Sequence, residues 1–307
     1  MKIRQSLGEA VPTVIFESIA KKIKEVMSVP KLKASAISKL IKEKELSKYE
    51  NLLHFINDNP NRVSLSTLSR IAELTNTNRT ENRAFYTNKA LITEMIKELP
   101  EFEKEEISIL EPSVGVANFI PMIINKYKGK KITFDLVDID EKSIEISRLL
   151  IEKYEFSDQI TFNYIVADFL EFDFDKKYDL VIGNPPFGKI SSTEKKLISY
   201  KKQAINKNTN NICSFFLDKV QGLGTYVVLV LPKFILSTPE FADTREYLSK
   251  IRIDVIIDFG EKGFPGVLIE TIALFLDTKK KPRKTFVKSL SRGINVLQIQ
   301  SYICDKS

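Results

Sequence analysis

The chain has 307 residues, 43% of them apolar, which is enough to bury the core of one large domain or of one domain with an appendage. It contains no apolar run of about 18 residues, and its first ten residues lack the apolar core of a signal peptide, so we expect neither a membrane span nor secretion. Two distant cysteines and one histidine exclude a zinc site and a disulfide framework, and indicate a cytoplasmic, reduced protein.

The charge of the chain is unevenly distributed. Residues 1–84 have 15 basic and 9 acidic side chains, and residues 279–307 have 8 and 1, whereas residues 85–278 have 24 and 30. A mildly acidic centre with basic flanks favours a catalytic core whose flanks meet a polyanion. The alternative is that the lysines serve only solubility.

Residues 1–84 are predicted to be helical and separate from the rest. Apolar residues recur every three or four positions in 15–26, in 32–56 and again after Ser64. We interpret the region as a docking module or a DNA contact. The break at residues 59–61 faintly resembles a helix-turn-helix, and His54 is expected to pack in the core.

From residue 85 onward the pattern alternates between strands and helices. Seven apolar strands are predicted, at 107–110, 131–137, 160–166, 178–182, 225–231, 253–258 and 269–276. Helices are predicted at 87–99, 118–127, 141–154, 211–221 and 239–250. This order indicates an α/β, doubly wound, mostly parallel sheet with helices on both faces. The last two strands have no helix between them and are expected to form an antiparallel edge.

The most informative motif follows the fourth predicted strand. That strand stops at Gly183, and Asn184-Pro185-Pro186-Phe187 comes next. Two prolines stiffen the loop, at the carboxyl end of a strand where open α/β sheets bind ligands. An asparagine oxygen, free backbone carbonyls and a flat aromatic ring would hold a planar group that bears an amino function. The alternative is a strand-ending turn that happens to contain an aromatic residue.

Three more loops follow the first three predicted strands. Residues 111–119 contain a glycine where a ligand could approach the backbone, ahead of a helix N-terminus. Asp138 ends the next strand, where a carboxylate would bind a ribose, and Asp140 is expected to cap the following helix. Asp168 could accept a hydrogen bond from a purine amino group, and Phe169 could cover the ring. The alternatives are ordinary turns and helix caps.

In type and order, these motifs resemble those of S-adenosylmethionine-dependent N6-adenine DNA methyltransferases of the gamma class, the TaqI type, over residues 85–278. Asn184-Pro185-Pro186-Phe187 is similar to their catalytic Asn-Pro-Pro-aromatic motif. Residues 111–119 resemble their Glu/Asp-Pro-x-x-Gly-x-Gly-x-Phe motif, with Ala117 in place of the second glycine.

The resemblance implies a seven-stranded methyltransferase sheet and a role for each matching residue. It implies that S-adenosylmethionine is bound by Thr87, Glu111, Ser113, Gly115, Asp138, Ile139, Asp168 and Phe169. It implies that the catalytic residues are Asn184, Pro185, Pro186 and Phe187. The extruded base would stack between Phe187 and Phe264. No metal is expected.

Residues 189–210 contain six lysines and the single acid Glu194. We interpret this segment as a mobile loop that closes on DNA phosphates. The residues expected to contact them are Lys189, Lys195, Lys196, Lys201 and Lys202. A loop that is merely solvated is the alternative.

The expected function is site-specific transfer of a methyl group to N6 of a flipped adenine in double-stranded DNA, within a restriction–modification system. HemK-type protein glutamine methyltransferases also carry an Asn-Pro-Pro-aromatic motif, so that activity is an alternative. A non-catalytic DNA-binding or assembly subunit is another, and ribosomal RNA adenine methylation is a third. The basic flanks favour DNA, and the intact motif argues against a non-catalytic subunit.

Three regions are expected: helical residues 1–84, a catalytic domain at 85–278, and a basic tail at 279–307. TaqI-type enzymes carry a large recognition domain after the catalytic one. We therefore expect either that this region is missing or truncated, or that a separate specificity or endonuclease subunit is a partner. The recognition sequence does not follow from the chain.

Overall fold

The computed structural model describes residues 32–76, 89–261, 269–290 and 294–299. The chain divides into two compact units between Thr75 and Asn76. The predicted helix at 15–26 lies outside the described residues. Among the described helices, none is long and apolar enough to cross a lipid bilayer.

Residues 32–75, the described part of the first unit, form three helices. They are α1 (Ala34–Glu43), α2 (Tyr49–Asp58) and α3 (Leu65–Thr75). The turn after α2 is closed by Asn59, whose φ is 41° and whose side chain exchanges hydrogen bonds of 2.8 and 2.9 Å with the backbone of Val63. The expectation that His54 packs in the core was wrong: α2 turns Leu52 and Phe55 inward and leaves His54 exposed.

The second unit is built on a nine-stranded sheet. The strands are β1 (Glu106–Glu111), β2 (Lys131–Asp138), β3 (Ile160–Val166), β4 (Tyr178–Gly183), β5 (Gly224–Pro232), β6 (Arg252–Gly260), β7 (Thr271–Asp277), β8 (Thr285–Ser289) and β9 (Ile294–Ile299). Their order in the sheet is β3-β2-β1-β4-β5-β7-β6-β8-β9. Strands β3, β2, β1, β4 and β5 are parallel, whereas β7 runs antiparallel to both β5 and β6. The predicted fold class, an α/β and mostly parallel methyltransferase-like sheet, is confirmed. The sheet has nine strands and not the predicted seven, and because β8 and β9 extend it, the antiparallel pair of β6 and β7 does not form its edge.

Helices and short 3-10 turns connect the strands. The helices are α4 (Lys89–Lys97), α5 (Ile120–Lys126), α6 (Glu141–Glu152), α7 (Lys195–Gln203), α8 (Ile212–Leu223) and α9 (Ala242–Leu248). Every residue of β7 is buried, and all but one of β5, so the centre of the sheet is covered on both faces. This explains why these strands are continuous apolar runs without alternation.

Three elements differ from the sequence predictions. Helix α7 lies within the segment expected to be a mobile loop, and it buries Leu197 and Tyr200 at a spacing of three. Strands β8 and β9 lie within the segment expected to be a tail. Lys288 of β8 forms ion pairs of 2.6 and 3.4 Å with Glu94 and Glu98, which lie on and just after α4.

Candidate active site

The four predicted loops lie side by side at the carboxyl edge of the sheet, because their strands are neighbours in the order β3-β2-β1-β4. The Ala167 backbone N–H donates to the Asp138 carbonyl at 3.0 Å, which joins the loop after β3 to the end of β2. The Val114 N–H donates to the Val137 carbonyl at 2.9 Å, which joins the loop after β1 to the end of β2. The sheet therefore gathers the predicted polar residues into one crevice.

The loop after β1, which we call the glycine loop (residues 112–118), touches the loop after β4, which we call the Asn-Pro-Pro-Phe loop (residues 184–187). Ser113 Oγ donates to the backbone carbonyl of Asn184 at 3.1 Å. Gly183 packs against Pro112, and a Cβ at position 183 would lie 3.0 Å from Pro112 Cδ. Glycine is favoured here because a side chain would require Pro112 to shift by a few tenths of an ångström.

The glycine loop turns through two residues with left-handed backbone angles. Gly115 has φ 55° and Ala117 has φ 59°. The alanine therefore preserves the bend that a second glycine would make without strain, at a cost of about 1 kcal/mol. The bend points the Gly115 N–H at Asp138 Oδ2, 2.9 Å away.

Asp138 ends β2 and is partly buried, and its carboxylate holds the local backbone. Its Oδ2 atom accepts the hydrogen bond from the Gly115 N–H, and its Oδ1 atom accepts one from the Asp140 N–H at 3.0 Å. Burial raises the pKa of Asp138 to about 6, although these backbone hydrogen bonds oppose the shift. The Ile139 backbone N–H is a third donor to the Asp138 carboxylate. A carboxylate has about four lone-pair sites, so about one remains for a ribose hydroxyl. Asp140 occupies the N-cap position of α6, but its carboxylate accepts from the Ser143 hydroxyl at 2.8 Å and makes no cap hydrogen bond to the backbone.

Ile139, next to Asp138, is 50% exposed although it is a large apolar residue. An apolar side chain held open at the crevice can lie against a planar ring. Its position therefore fits the predicted contact with an adenine.

Glu111 ends β1 and is almost fully buried. No donor among the described residues reaches its Oε2 atom. Burial, and secondarily the Asp138 carboxylate, raise the pKa of Glu111 well above its ordinary value. An ammonium group at this position would supply the missing donor and restore the charge, so Glu111 fits the amino end of a methionine moiety.

The side-chain carboxylate of Asp168 accepts three hydrogen bonds from the described residues. The Leu170 N–H donates to Oδ1 at 3.1 Å, and Lys196 Nζ and Tyr200 Oη donate to Oδ2 at 2.8 and 2.7 Å. Sequence analysis missed Tyr200, although its spacing of four from Lys196 would place both on one helix face. Phe169 is 2% exposed and stacks on Phe216, with ring centroids 4.9 Å apart. Little of the Phe169 ring is left for a purine in this conformation, and that contact stays a prediction.

The catalytic candidates lie beside the glycine loop. Asn184 and Pro186 are partly exposed, whereas Pro185 and Phe187 are buried. Phe187 is 3% exposed, so a base could stack on it only after the groups covering the ring move. The predicted residues Thr87 and Phe264 lie outside the described residues. Within the described ranges, no cluster of acidic, cysteine or histidine side chains could hold a metal ion.

Two of the five lysines predicted to contact DNA have acidic partners within the protein. Lys189 forms an ion pair of 3.0 Å with Glu240, and Lys196 forms one of 2.8 Å with Asp168. The remaining three lie on α7, with Lys195 and Lys202 exposed and Lys201 partly exposed. The predicted phosphate contacts stay a prediction.

Comparison with known proteins gives relatives over most of the chain. It is 27% identical over 270 residues to the Type II methyltransferase M.VspI of Vibrio sp. (strain 343), which covers 86% of this chain and 65% of that protein. It is 29% identical over 229 residues to the Type II methyltransferase M.CvrRI of Paramecium bursaria Chlorella virus XZ-6E. That match covers 70% of this chain and 54% of that protein. The chain thus spans less than two thirds of the length of either relative.

A solved structure supports the fold. A type I restriction–modification system methyltransferase subunit from Streptococcus thermophilus superposes with a TM-score of 0.54 at 13% identity, over 97% of this chain and 81% of that one. The model of the Eco57I restriction-modification methylase family matches residues 35–264, which is more than half of the chain. The chain therefore belongs to the Eco57I restriction-modification methylase family.

Proposed function

We propose that the chain transfers a methyl group from S-adenosylmethionine to N6 of an adenine in double-stranded DNA, as the modification activity of a restriction–modification system. The observation that carries the proposal is the contact between the glycine loop and the Asn-Pro-Pro-Phe loop, through Ser113 and the Asn184 carbonyl at 3.1 Å. This contact lies between the predicted nucleoside site and the predicted planar-amine site. Membership of the family and the names of the relatives support it.

The residues of the crevice fit S-adenosylmethionine. Glu111 would bind the ammonium group, Asp138 the ribose, and Ile139 and Asp168 the adenine. When bound, the cofactor supplies a methyl group made electrophilic by its sulfonium.

The Asn-Pro-Pro-Phe loop would activate the amine. The lone pair of adenine N6 is delocalised into the ring, so the amine is a poor nucleophile. The Asn184 side-chain oxygen and the Pro185 carbonyl would accept both N6 hydrogens, which makes the nitrogen more tetrahedral and directs its lone pair at the methyl group. The displacement is in line and relies on positioning and electrostatics. No side chain must act as a base, because the amine becomes acidic once alkylated and its proton leaves to water.

The target adenine must leave the duplex to reach this loop. Phe187 and Phe264 would stack on its two faces, and such aromatic contacts repay part of the cost of unstacking. Since Phe187 is buried here, we expect its surroundings to open when DNA binds.

Transfer of tritiated methyl groups tests the proposal. The purified chain is incubated with labelled S-adenosylmethionine and either duplex DNA or a translation release factor, the substrate of the HemK-type alternative. We expect label in DNA, recovered as N6-methyladenine after digestion. Label in the release factor, or in neither, would contradict the proposal.

We also propose that a separate specificity or endonuclease subunit assembles with the chain. The support is the restriction–modification context of the family. Methylated adenines would be mapped in cells that express the chain alone or with its neighbouring genes. Sequence-specific methylation that appears only with the neighbours is the expected result, and specific methylation by the chain alone would refute a separate specificity subunit.

A further inference from the structure

Helix α7 makes two polar contacts with a single atom of the predicted adenine site. Lys196 Nζ and Tyr200 Oη lie 2.8 and 2.7 Å from Asp168 Oδ2. The two residues are four apart, so they lie on one face of α7. The aromatic ring of Tyr200 is buried and packs at 5.8 Å from that of Phe215, which fixes the direction of its hydroxyl.

The segment that carries α7 is held at both ends. Its base is closed by backbone hydrogen bonds from Ile190 to Asn210 and from Ile212 to Gly188, at 2.9 and 3.0 Å. Beyond α7, Asp218 Oδ2 accepts from the backbone N–H groups of Ile205 and Asn206, at 2.9 and 3.1 Å. The helix is thus fixed to the second unit on both sides, and it can hold the Asp168 carboxylate in one orientation.

These hydrogen bonds leave one acceptor site vacant on the Asp168 carboxylate. Among the residues that the structure describes, two donors from α7 reach Oδ2, whereas one, Leu170, reaches Oδ1. Because each carboxylate oxygen has about two lone-pair sites, the vacant site is on Oδ1. An amino group would be received there, whereas a carbonyl oxygen at the same place would be repelled by the carboxylate.

We propose that Lys196 and Tyr200 are positioning residues, which orient the Asp168 carboxylate so that the protein selects a cofactor whose base carries an amino group. This rests on the proposed function, since it needs a nucleoside cofactor at Asp168. Hypoxanthine is the informative comparison, because it replaces the amino group of adenine with a carbonyl and keeps the size of the ring.

Calorimetry with two ligands tests this. S-Adenosylhomocysteine and S-inosylhomocysteine are titrated into the wild-type chain, Lys196→Met, Tyr200→Phe and the double variant. Lys207→Met and Tyr154→Phe remove the same groups elsewhere in the second unit and serve as controls. We expect the double variant to bind the adenosyl ligand about tenfold more weakly, the scale of hydrogen bonds to a charged group, with the inosyl ligand changed less than about threefold.

Three results would overturn the proposal. Equal losses for both ligands would mean that α7 only supports the fold, and melting temperatures of the variants check this. Unchanged or tighter binding of the adenosyl ligand would mean that Lys196 and Tyr200 do not orient Asp168, or that they block it. A wild-type chain that binds neither ligand would defeat the proposed cofactor itself, a failure recognisable without any variant.

Discussion

At the scale of the residue, the carboxylate of Asp138 has two roles, one in holding the backbone and one in binding the cofactor. It accepts backbone hydrogen bonds from Gly115 and Asp140, and it is expected to accept from the ribose. Burial raises its pKa to about 6, so it takes up a proton within a range of pH that is easily studied.

Cofactor affinity should therefore depend on pH. A ribose hydroxyl donates to the ionised carboxylate, so binding requires loss of the proton, and affinity should fall toward tenfold per pH unit below about 6. Calorimetry with S-adenosylhomocysteine between pH 5 and 8 measures this. In Asp138→Asn the affinity at pH 7.5 should be lower and the step near pH 6 should be absent. A wild-type affinity that is flat across that step would remove the ribose assignment.

At the same scale, the sequence predicted site residues where the chemistry requires a particular side chain at one position. Asp138 and Asp168 were predicted because they lie at the carboxyl ends of predicted strands, and Ile139 because of the family resemblance; the sheet places all three along one edge. The contact of Tyr200 with Asp168 could not be predicted, because it joins residues 32 apart and depends on how α7 packs. The burial of Phe187 likewise depends on tertiary contacts.

At the scale of the element, α7 shows how composition can hide a helix. Its nine residues include four lysines, and only Leu197 and Tyr200 are buried. The usual apolar stripe is reduced to one turn, so the segment looked like a charged loop. The seven predicted strands were found within about two residues because each is rich in apolar, β-branched and aromatic residues.

Asp218 anchors the carboxyl end of α7 and should make stability depend on pH. Burial raises its pKa from 3.8 to about 6, and the backbone hydrogen bonds oppose this only in part. A raised pKa in the folded state means that the stabilisation is complete below about 3.8 and is lost as the pH rises through about 6.

Asp218→Asn mimics the protonated form at every pH. We expect its free energy of unfolding, relative to the wild type, to rise by about 2 kcal/mol between pH 4 and 7.5, since one pKa unit corresponds to about 1.4 kcal/mol and part of the stabilisation is already lost at pH 4. Urea denaturation at several pH values measures the difference. A difference that stays constant with pH would show that ionisation of Asp218 does not destabilise the folded protein.

At the scale of the whole molecule, the sheet continues past the predicted end of the catalytic domain. Strand β8 pairs with β6 in parallel over four residues, from Val255 with Phe286 to Asp258 with Ser289. Lys288 also contacts Glu94 and Glu98, so β8 is tied to α4 at the other end of the unit in sequence. The short, lysine-bearing β8 lacks the apolar character that identified the seven predicted strands.

A chain that ends at Thr278 should therefore be less stable than the 307-residue chain. We expect a loss of about 2 kcal/mol or more in the free energy of unfolding, from several net hydrogen bonds and an exposed β6 edge. Lys288→Met in the longer chain measures the ion pairs alone and should cost less. Equal stability of the two chains would show that β8 contributes nothing to the unit.

The central claim concerns what the Asn-Pro-Pro-Phe loop does, and single-turnover methyl transfer to duplex DNA by Asn184→Ala tests it most directly. With cofactor affinity confirmed as unchanged by calorimetry, the rate should fall by about 10²- to 10³-fold, the scale for one preorganised polar group. A rate within threefold of the wild type would contradict the claim that Asn184 activates the target amine.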